Sequence, residues 1–417
     1  MYRRCLGLSV LCGLLAACGG GGGGGASPSP NASPIASAGA DIEVNKNTLV
    51  TLAGTGTDSD GTIASIAWTQ TGGASVVLNG SNTYAAYFTA PNVTANTTLE
   101  FTLTLVDNRG ASTTDSVRVQ VQPGIWEDGV ALRDSRFGLA ACSLANEIYV
   151  FGGANFDTLT EKFDVTNQTW TTLATMPTAR RHGHACAVVS NKIYVMGGYN
   201  DVMGGWNGLD TVEAFDPATN SWSTQTPMPT PRYGAAAAAL NGKIYVLGGR
   251  NGTANTLSTV EEFDPASGTW STKASLPIAV HSPVAAVIAG KLYAIGGYGA
   301  DNTAHADSYE YDPATNAWRQ LASMTTSRVG HSEIMWDGRI YVFGGESDTA
   351  GGAIASIEMY DPGTNRWSQK SDMPHAREYH ASAIVADSAY LLGGRSTSQG
   401  AQPLVYEADI YNPGQDE

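Results

Sequence analysis

The stretch Lys243-Ile244-Tyr245-Val246-Leu247-Gly248-Gly249 decides how this chain is read. Its β-branched and aromatic residues suit a pleated strand, and the double glycine after them allows a positive φ or a close backbone approach. The same phrase, an aliphatic-Tyr-aliphatic strand running into two glycines, ends at Gly152-Gly153, Gly197-Gly198, Gly296-Gly297, Gly344-Gly345 and Gly393-Gly394. The six copies are spaced by 45, 51, 48, 48 and 49 residues. Self-similarity at a fixed period marks a repeat architecture, in which each unit buries its apolar face by stacking on the next.

Working outward from the third copy, residues 233–240 read as strand a, the quoted stretch as b, residues 258–264 as c, and a strand centred on Trp270 as d. The turn Asp264-Pro265-Ala266-Ser267-Gly268 joins c to d, and Asp216-Pro217, Asp312-Pro313, Asp361-Pro362 and Asn412-Pro413 are its counterparts. Pro presets φ in such a turn while Asp hydrogen-bonds the following backbone. Four strands per repeat predict one blade of a β-propeller, with Trp170, Trp222, Trp270, Trp318 and Trp367 filling the gaps between blades. This period and these motifs resemble the kelch family, which implies a six-bladed ring here. The sixth copy ends at Tyr411-Asn412-Pro413 with no Trp strand after it, while Trp126 stands ten residues before Arg136. Trp222 precedes Arg232, Trp318 precedes Arg328 and Trp367 precedes Arg377 by the same interval. Trp126 is therefore predicted to supply strand d of the last blade, which leaves no open sheet edge.

Four segments organise the 417 residues. Residues 1–17 resemble the signal peptide of bacterial lipoproteins: Arg3 and Arg4, an apolar run over residues 6–15, then Leu15-Ala16-Ala17-Cys18. The resemblance implies lipid on Cys18, and Gly19 in place of a retention aspartate implies an outer-membrane or cell-surface address. Residues 18–34, seven glycines and a Ser/Pro/Asn/Ala run, read as a flexible tether with a mean reach of about 25 Å. No other stretch is long and apolar enough to span a bilayer. Residues 35–123 read as short alternating strands, at 48–52, 63–68, 84–88, 99–106 and 116–121. With Asp58 to Gly61, Ile66 to Gln70, Phe88-Thr89-Ala90-Pro91 and Leu103 to Gly110, this segment resembles bacterial PKD-type immunoglobulin-like domains, usually spacers or adhesive modules. Residues 124–417 form the propeller. The fold class is thus all-β, an immunoglobulin-like β-sandwich followed by a six-bladed kelch β-propeller.

A net charge of −15 argues against nucleic acid as a partner, because phosphate binding needs clustered Lys and Arg. Asp58, Asp60 and Asp107 are oxygen donors of the kind Ca²⁺ takes, or Asx-turn residues closing hairpins. Arg136, Arg181 (or Arg180), Arg232, Arg328 and Arg377 recur before strand a, where a channel mouth lined by them suits an anionic ligand. The structural alternative rests on Glu161, Glu213, Glu261, Glu358 and Asp409, which recur in strand c. The fourth repeat loses both series at once, with Val280 and Tyr309, as an ion pair within each blade requires. His184, His331 and His380 share one position of strand a; they read as packed residues or as metal ligands. Cys142 and Cys186 lie on strands a of adjacent blades with opposite parity, and read as a disulfide or as two buried thiols. The loop after the second double glycine carries Asn200, Asp201 and an additional Trp206, residue types that sugar or peptide recognition uses.

No nucleophile elbow, phosphate loop, zinc helix or paired-carboxylate constellation is present, and no cofactor is implied apart from a candidate Ca²⁺ in the immunoglobulin-like domain. Copper radical oxidases are similar in fold class only, having seven blades and a Tyr/Cys/His copper site without counterpart here. The sequence points to a membrane-tethered extracytoplasmic binding module. It would be monomeric, with a protein or glycan ligand on the face of the b–c loops. The alternative, by fold analogy with the sialic-acid mutarotases, is a carbohydrate-active enzyme such as an acidic-sugar mutarotase or epimerase, N-acetylneuraminate epimerase-like.

Overall fold

The computed structural model describes residues 29–416 apart from 94, 155, 180–181, 200–206, 253–254, 397–403 and 406. It divides into two compact units after Gln122. Cys18, Arg180, Arg181, Asn200, Asp201 and Trp206 lie outside the described residues.

In the first unit a four-stranded sheet runs in the order Ile42–Asn45, Ser112–Gln122, Thr97–Asp107, Ile63–Gly72. Two short ladders accompany it, Leu49–Ala53 with Ala85–Thr89 and Ile35–Ser37 with Thr55–Thr57. Burial alternates strictly along Leu49–Ala53 and Ala85–Thr89, the signature of strands with one face on a core. That core holds Leu52, Trp68, Phe88, Phe101, Leu103 and Leu105. Three of the strands run one to four residues beyond those read from sequence, two are shifted by one residue, and Ile35–Ser37, Ile42–Asn45 and Thr55–Thr57 have no counterpart in that reading.

The three aspartates offered as calcium ligands or turn residues take part in local hydrogen bonds. Asp107 accepts the backbone N–H groups of Arg109 and Ala111 on Oδ1, at 2.8 and 3.0 Å, and the Asn31 side-chain amide on Oδ2. Asp58 accepts the N–H of Asp60 on Oδ1, its buried Oδ2 has no partner among the described residues, and the Arg109 guanidinium sits 2.9 Å from the Asp60 carboxylate. Among the described residues no group of three or more acidic, His or Cys side chains is arranged to hold a metal. These aspartates close turns.

In the second unit six antiparallel four-stranded sheets form the blades. Blade one is Ala140–Leu144, Glu147–Phe151, Thr160–Asp164 and Thr169–Thr172; blade three is Ala236–Leu240, Lys243–Leu247, Val260–Asp264 and Thr269–Lys273. Blade six takes Ala381–Val385, Ser388–Leu392 and Ala408–Tyr411 from the C-terminal end and Trp126–Asp128 as its fourth strand. Trp126 pairs with Tyr411 in register, their rings 4.9 Å apart, so the ring closes as the Trp–Arg spacing predicts.

Two devices join the blades. The strand-d indoles of blades one to five each donate to a carbonyl just past strand d of the preceding blade, among them Trp222 to Ala174 at 2.9 Å, Trp270 to Thr226 at 3.0 Å and Trp318 to Ala274 at 2.8 Å. Nearer the axis, Gly198, Gly249, Gly297, Gly345 and Gly394, the second glycines of five pairs, donate across the blade boundary, Gly249 to Val280 at 2.9 Å. Gly248 and Gly249 have φ of 64° and 93°, and a Cβ on Gly248 would lie 2.5 Å from the Val280 carbonyl. Only glycine meets both demands. Between blades one and two, Cys142 and Cys186 form a disulfide, the first of the two readings of that pair.

Candidate functional site

The four described arginines recurring before strand a do not reach the channel. Arg136, Arg232, Arg328 and Arg377 are wholly buried and pair with Glu161, Glu261, Glu358 and Asp409 of their own blades. Arg232 shows the pattern: it donates to the Gly248 and Thr259 carbonyls, the Thr259 hydroxyl, the Thr230 carbonyl and, at 2.7 Å, to Glu261. Burial lowers its pKa and the Glu261 carboxylate opposes that shift. In blade four the same space holds Val280 and Tyr309, both buried. These arginines fasten the d–a junction to strands b and c, so they are corrected from ligand candidates to scaffold. Glu213, the acid of blade two, is equally buried.

The histidines are likewise stitches between blades. His184 Nε2 lies 3.0 Å from the Phe151 carbonyl, His331 Nε2 3.2 Å from that of Ile295, and His380 Nε2 2.9 Å from the Ser332 hydroxyl. Burial depresses His331 to about 3 and His380 well below its ordinary value, so both are neutral.

A cavity of about 610 Å³ opens where the starts of the a strands meet the ends of the b strands. Phe137, His182, Tyr199, Tyr233, Arg250, His281 and Arg395 of its lining come from two columns of the repeat, and the rest from the two positions that follow the first column. The residue after each d–a junction arginine, or its Val280 counterpart, gives Phe137, His182, Tyr233, His281, Val329 and Glu378. The residue after each double glycine gives Ala154, Tyr199, Arg250, Tyr298, Glu346 and Arg395. Backbone bridges join the columns within a blade, Tyr233 to Arg250, Val329 to Glu346 and Glu378 to Arg395. The glycine bonds described above join them between blades.

The resulting belt has two sectors. One is aromatic and imidazole: the His182 and Tyr199 rings meet edge-on at 4.5 Å and Tyr199 and Tyr233 at 5.5 Å, while His281 and Tyr298 lie tilted at 5.4 Å. His281, half-buried beside Arg250, is held down to about 4 by burial and that charge, hence neutral. The other sector is charged. The Arg395 guanidinium stands over the Phe137 and Tyr379 rings, 4.9 and 5.2 Å from their centroids, and its Nε donates to Glu378 at 2.7 Å. Tyr379 occupies a φ of 49° at a position where four blades place glycine. A left-handed tyrosine costs on the order of 1 kcal/mol, a strain typical of functional walls. One layer deeper, two residues beyond the histidine position of strand a and so on the same face, lie Ala141, Cys186, Ala237, Ala285, Glu333 and Ser382. Burial pushes the Glu333 carboxyl up to about 8.

Two other arginines, Arg250 and Arg395, which the sequence reading did not single out, line the cavity. The signal for them was the column after the double glycine, whose residues change from blade to blade while their neighbours repeat. An arginine-aromatic wall of this kind can hold a planar anionic group and stack a ring beside it.

The comparisons with known proteins agree with this architecture. Residues 207–413 match the family model described as Attractin/LZTR1 beta-propeller, and residues 106–283 that of the KLHDC2/KLHL20/DRC7 Kelch-repeats domain. Residues 38–121 match a PKD domain family model. Kelch-like protein 35 of Homo sapiens is 35% identical over 123 residues, 29% of this chain and 20% of that protein. The F-box/kelch-repeat protein At1g67480 of Arabidopsis thaliana is 39% identical over 90 residues, 22% of this chain and 23% of its own. The matched stretches thus span less than a quarter of these relatives' length. The solved structure titled "Structure of YjhT" superposes with a TM-score of 0.61, covering 67% of this chain and 95% of that one. At 18% identity the likeness is one of fold alone. The chain is an all-β protein in which a PKD-like domain precedes a kelch-repeat β-propeller.

Proposed function

We propose that this propeller is an extracytoplasmic binding module whose channel pocket takes a small, ring-shaped anion, with acidic sugars as the ligand class. The observation that carries the reading is the placement of Arg250 and Arg395 in the wall of an aromatic-lined cavity. Acidic sugars offer a carboxylate for a guanidinium and a ring face for tyrosine or histidine. The Cys18 motif supports attachment to the bacterial outer membrane or cell surface, with the PKD-like domain as a spacer and the protein a monomer. Radiolabelled palmitate incorporated by the wild type and lost in Cys18→Ser tests the anchor.

Calorimetry with N-acetylneuraminate, glucuronate and galacturonate, against glucose and galactose, tests the ligand class. The acids bind and the neutral sugars do not. Arg395→Met or Arg250→Met weakens binding by about 10- to 100-fold, the worth of a charge-assisted hydrogen bond. Neutral sugars binding as well as acids would remove the reading.

A second reading, an acidic-sugar mutarotase or epimerase, draws support from Glu378, a carboxyl raised to about 7 beside Arg395. Its measurement is the anomerisation rate of N-acetylneuraminate by NMR. No acceleration over buffer leaves binding alone.

A further inference from the structure

The charged sector of the belt contains a juxtaposition that ligand capture by itself does not need. The Gly345 N–H donates to the Arg377 carbonyl at 2.9 Å, which sets the end of strand b of blade five against the start of strand a of blade six. The next residue on each side is a glutamate, Glu346 and Glu378. The Glu378 side chain has no exposed surface, and its Oε1 accepts the Arg395 Nε. Its Oε2 is buried with no hydrogen-bond donor among the described residues, and the Glu346 carboxyl lies beside it.

We propose that Glu378, held between Glu346 and Arg395, is a proton site coupled to the anion site, taking up one proton when a carboxylate docks on Arg395. The proposal rests on the preceding reading, that Arg395 receives the ligand's carboxylate. The charged and titratable groups around Glu378 are Glu346 from blade five, Arg395 from strand b of blade six, and the Tyr379 phenol, which Glu378, Glu346 and Arg395 all influence. Ionised Glu378 neutralises Arg395 and competes with an incoming anion for the same guanidinium. Protonated Glu378 does neither. Burial, then the hydrogen bond with Glu346, raises Glu378 to about 7 while Arg395 opposes the rise. A ligand carboxylate on Arg395 weakens that opposition and adds a like charge, so the bound state favours the proton further. The balance is simple: ligand carboxylate, ionised Glu378 and one solvent proton give bound carboxylate and neutral Glu378, with no covalent bond to carbon changed. Capture is then strongest in mildly acidic surroundings and declines by up to about tenfold per pH unit above neutrality, the limit for one linked proton.

The test uses the full chain labelled with carboxyl-¹³C glutamate, the Glu378 signal being assigned by its loss in Glu378→Gln. Acetate and N-acetylneuraminate are the probes. Glu378 is expected to titrate near neutrality in the free protein and to move upward with either anion. Glu378→Gln, which mimics the protonated form, is expected to bind with pH-independent affinity. Glu346→Gln, which removes the neighbouring carboxyl, lowers the Glu378 midpoint and keeps a readout if Glu378→Gln fails to fold. A Glu378 midpoint in the ordinary glutamate range, or one that neither anion moves, overturns the proton site. A midpoint moved by acetate but not by N-acetylneuraminate keeps the proton site and defeats the acidic-sugar reading.

Discussion

Removing the Arg232 side chain measures what the repeated arginines do. Arg232→Val leaves the Glu261 carboxylate, itself only 4% exposed, with the Thr230 hydroxyl as its remaining hydrogen-bond partner among the described residues. It also takes donors from the Gly248, Thr259 and Thr230 carbonyls. Breaking a buried pair from one side costs about 3–5 kcal/mol, because the partner stays charged and desolvated. In a unit of this size that is a fall in Tm on the order of 10 °C.

Blade four supplies the control. Val280 and Tyr309 occupy the two positions there, at 3% and 7% exposure, with the strand pairing intact. Arg232→Val/Glu261→Tyr transplants that solution into blade three and is expected to regain most of the loss, since an apolar replacement of both partners is near neutral. Urea unfolding of the wild type, both single variants and the double variant, followed by tryptophan fluorescence, closes the cycle. Coupling of about 2 kcal/mol or more is expected between directly bonded residues. If Arg232→Val costs under about 1 kcal/mol and the two changes add, the pair is not what holds the junction, and the assignment of these arginines to the scaffold fails.

Two other expectations follow from the propeller. The Cys142–Cys186 bridge spans 44 residues, so Cys142→Ser/Cys186→Ser loses about 4 kcal/mol in the chain-entropy model, read as a lower urea midpoint; equal midpoints would refute it. Glu333 holds its proton in the folded state up to about 8, whereas an unfolded glutamate releases it near 4.5. Stability therefore falls as pH rises between those values and levels off above them. Glu333→Gln should flatten this part of the pH profile, and an unchanged slope would refute the assignment.

Much of the scaffold was legible because each blade repeats the same physical problem. The b strands, the Asp-Pro turns and the closing Trp126 strand all follow from periodic residues with fixed backbone roles. Strand a was read from Tyr233, whereas the ladder begins at Ala236. Gly234 takes a φ of 61°, and Tyr233 leaves the sheet to bridge Arg250 at the channel wall. The short b–c hairpins, Arg250–Asn251 with Asn255–Thr256 and Glu346–Ser347 with Gly352–Ala353, carried no strand signal, being two residues long and unlike one another. The aspartates of the PKD-like domain stay ambiguous in sequence because a calcium ligand and an Asx-turn residue have the same composition, and the Arg109 that pairs with Asp60 is remote from it in sequence.

The site was hidden by the regularity that revealed the fold. A residue that recurs from blade to blade satisfies a need the blades share, and such a need is structural: Arg232 and its counterparts tie junctions where they occur, the indoles of blades one to five cap neighbours, the glycines admit backbone. A ligand in a central pocket meets six different walls, so a column serving it has no reason to repeat. The two belt columns behave that way, running Phe, His, Tyr, His, Val, Glu and Ala, Tyr, Arg, Tyr, Glu, Arg around the ring. Within one repeat chain, the positions that vary on an otherwise constant frame and face a common cavity are where specificity resides. Exchanging Arg395 for the alanine that blade one carries there therefore tests function, whereas exchanging Arg377 tests only the frame.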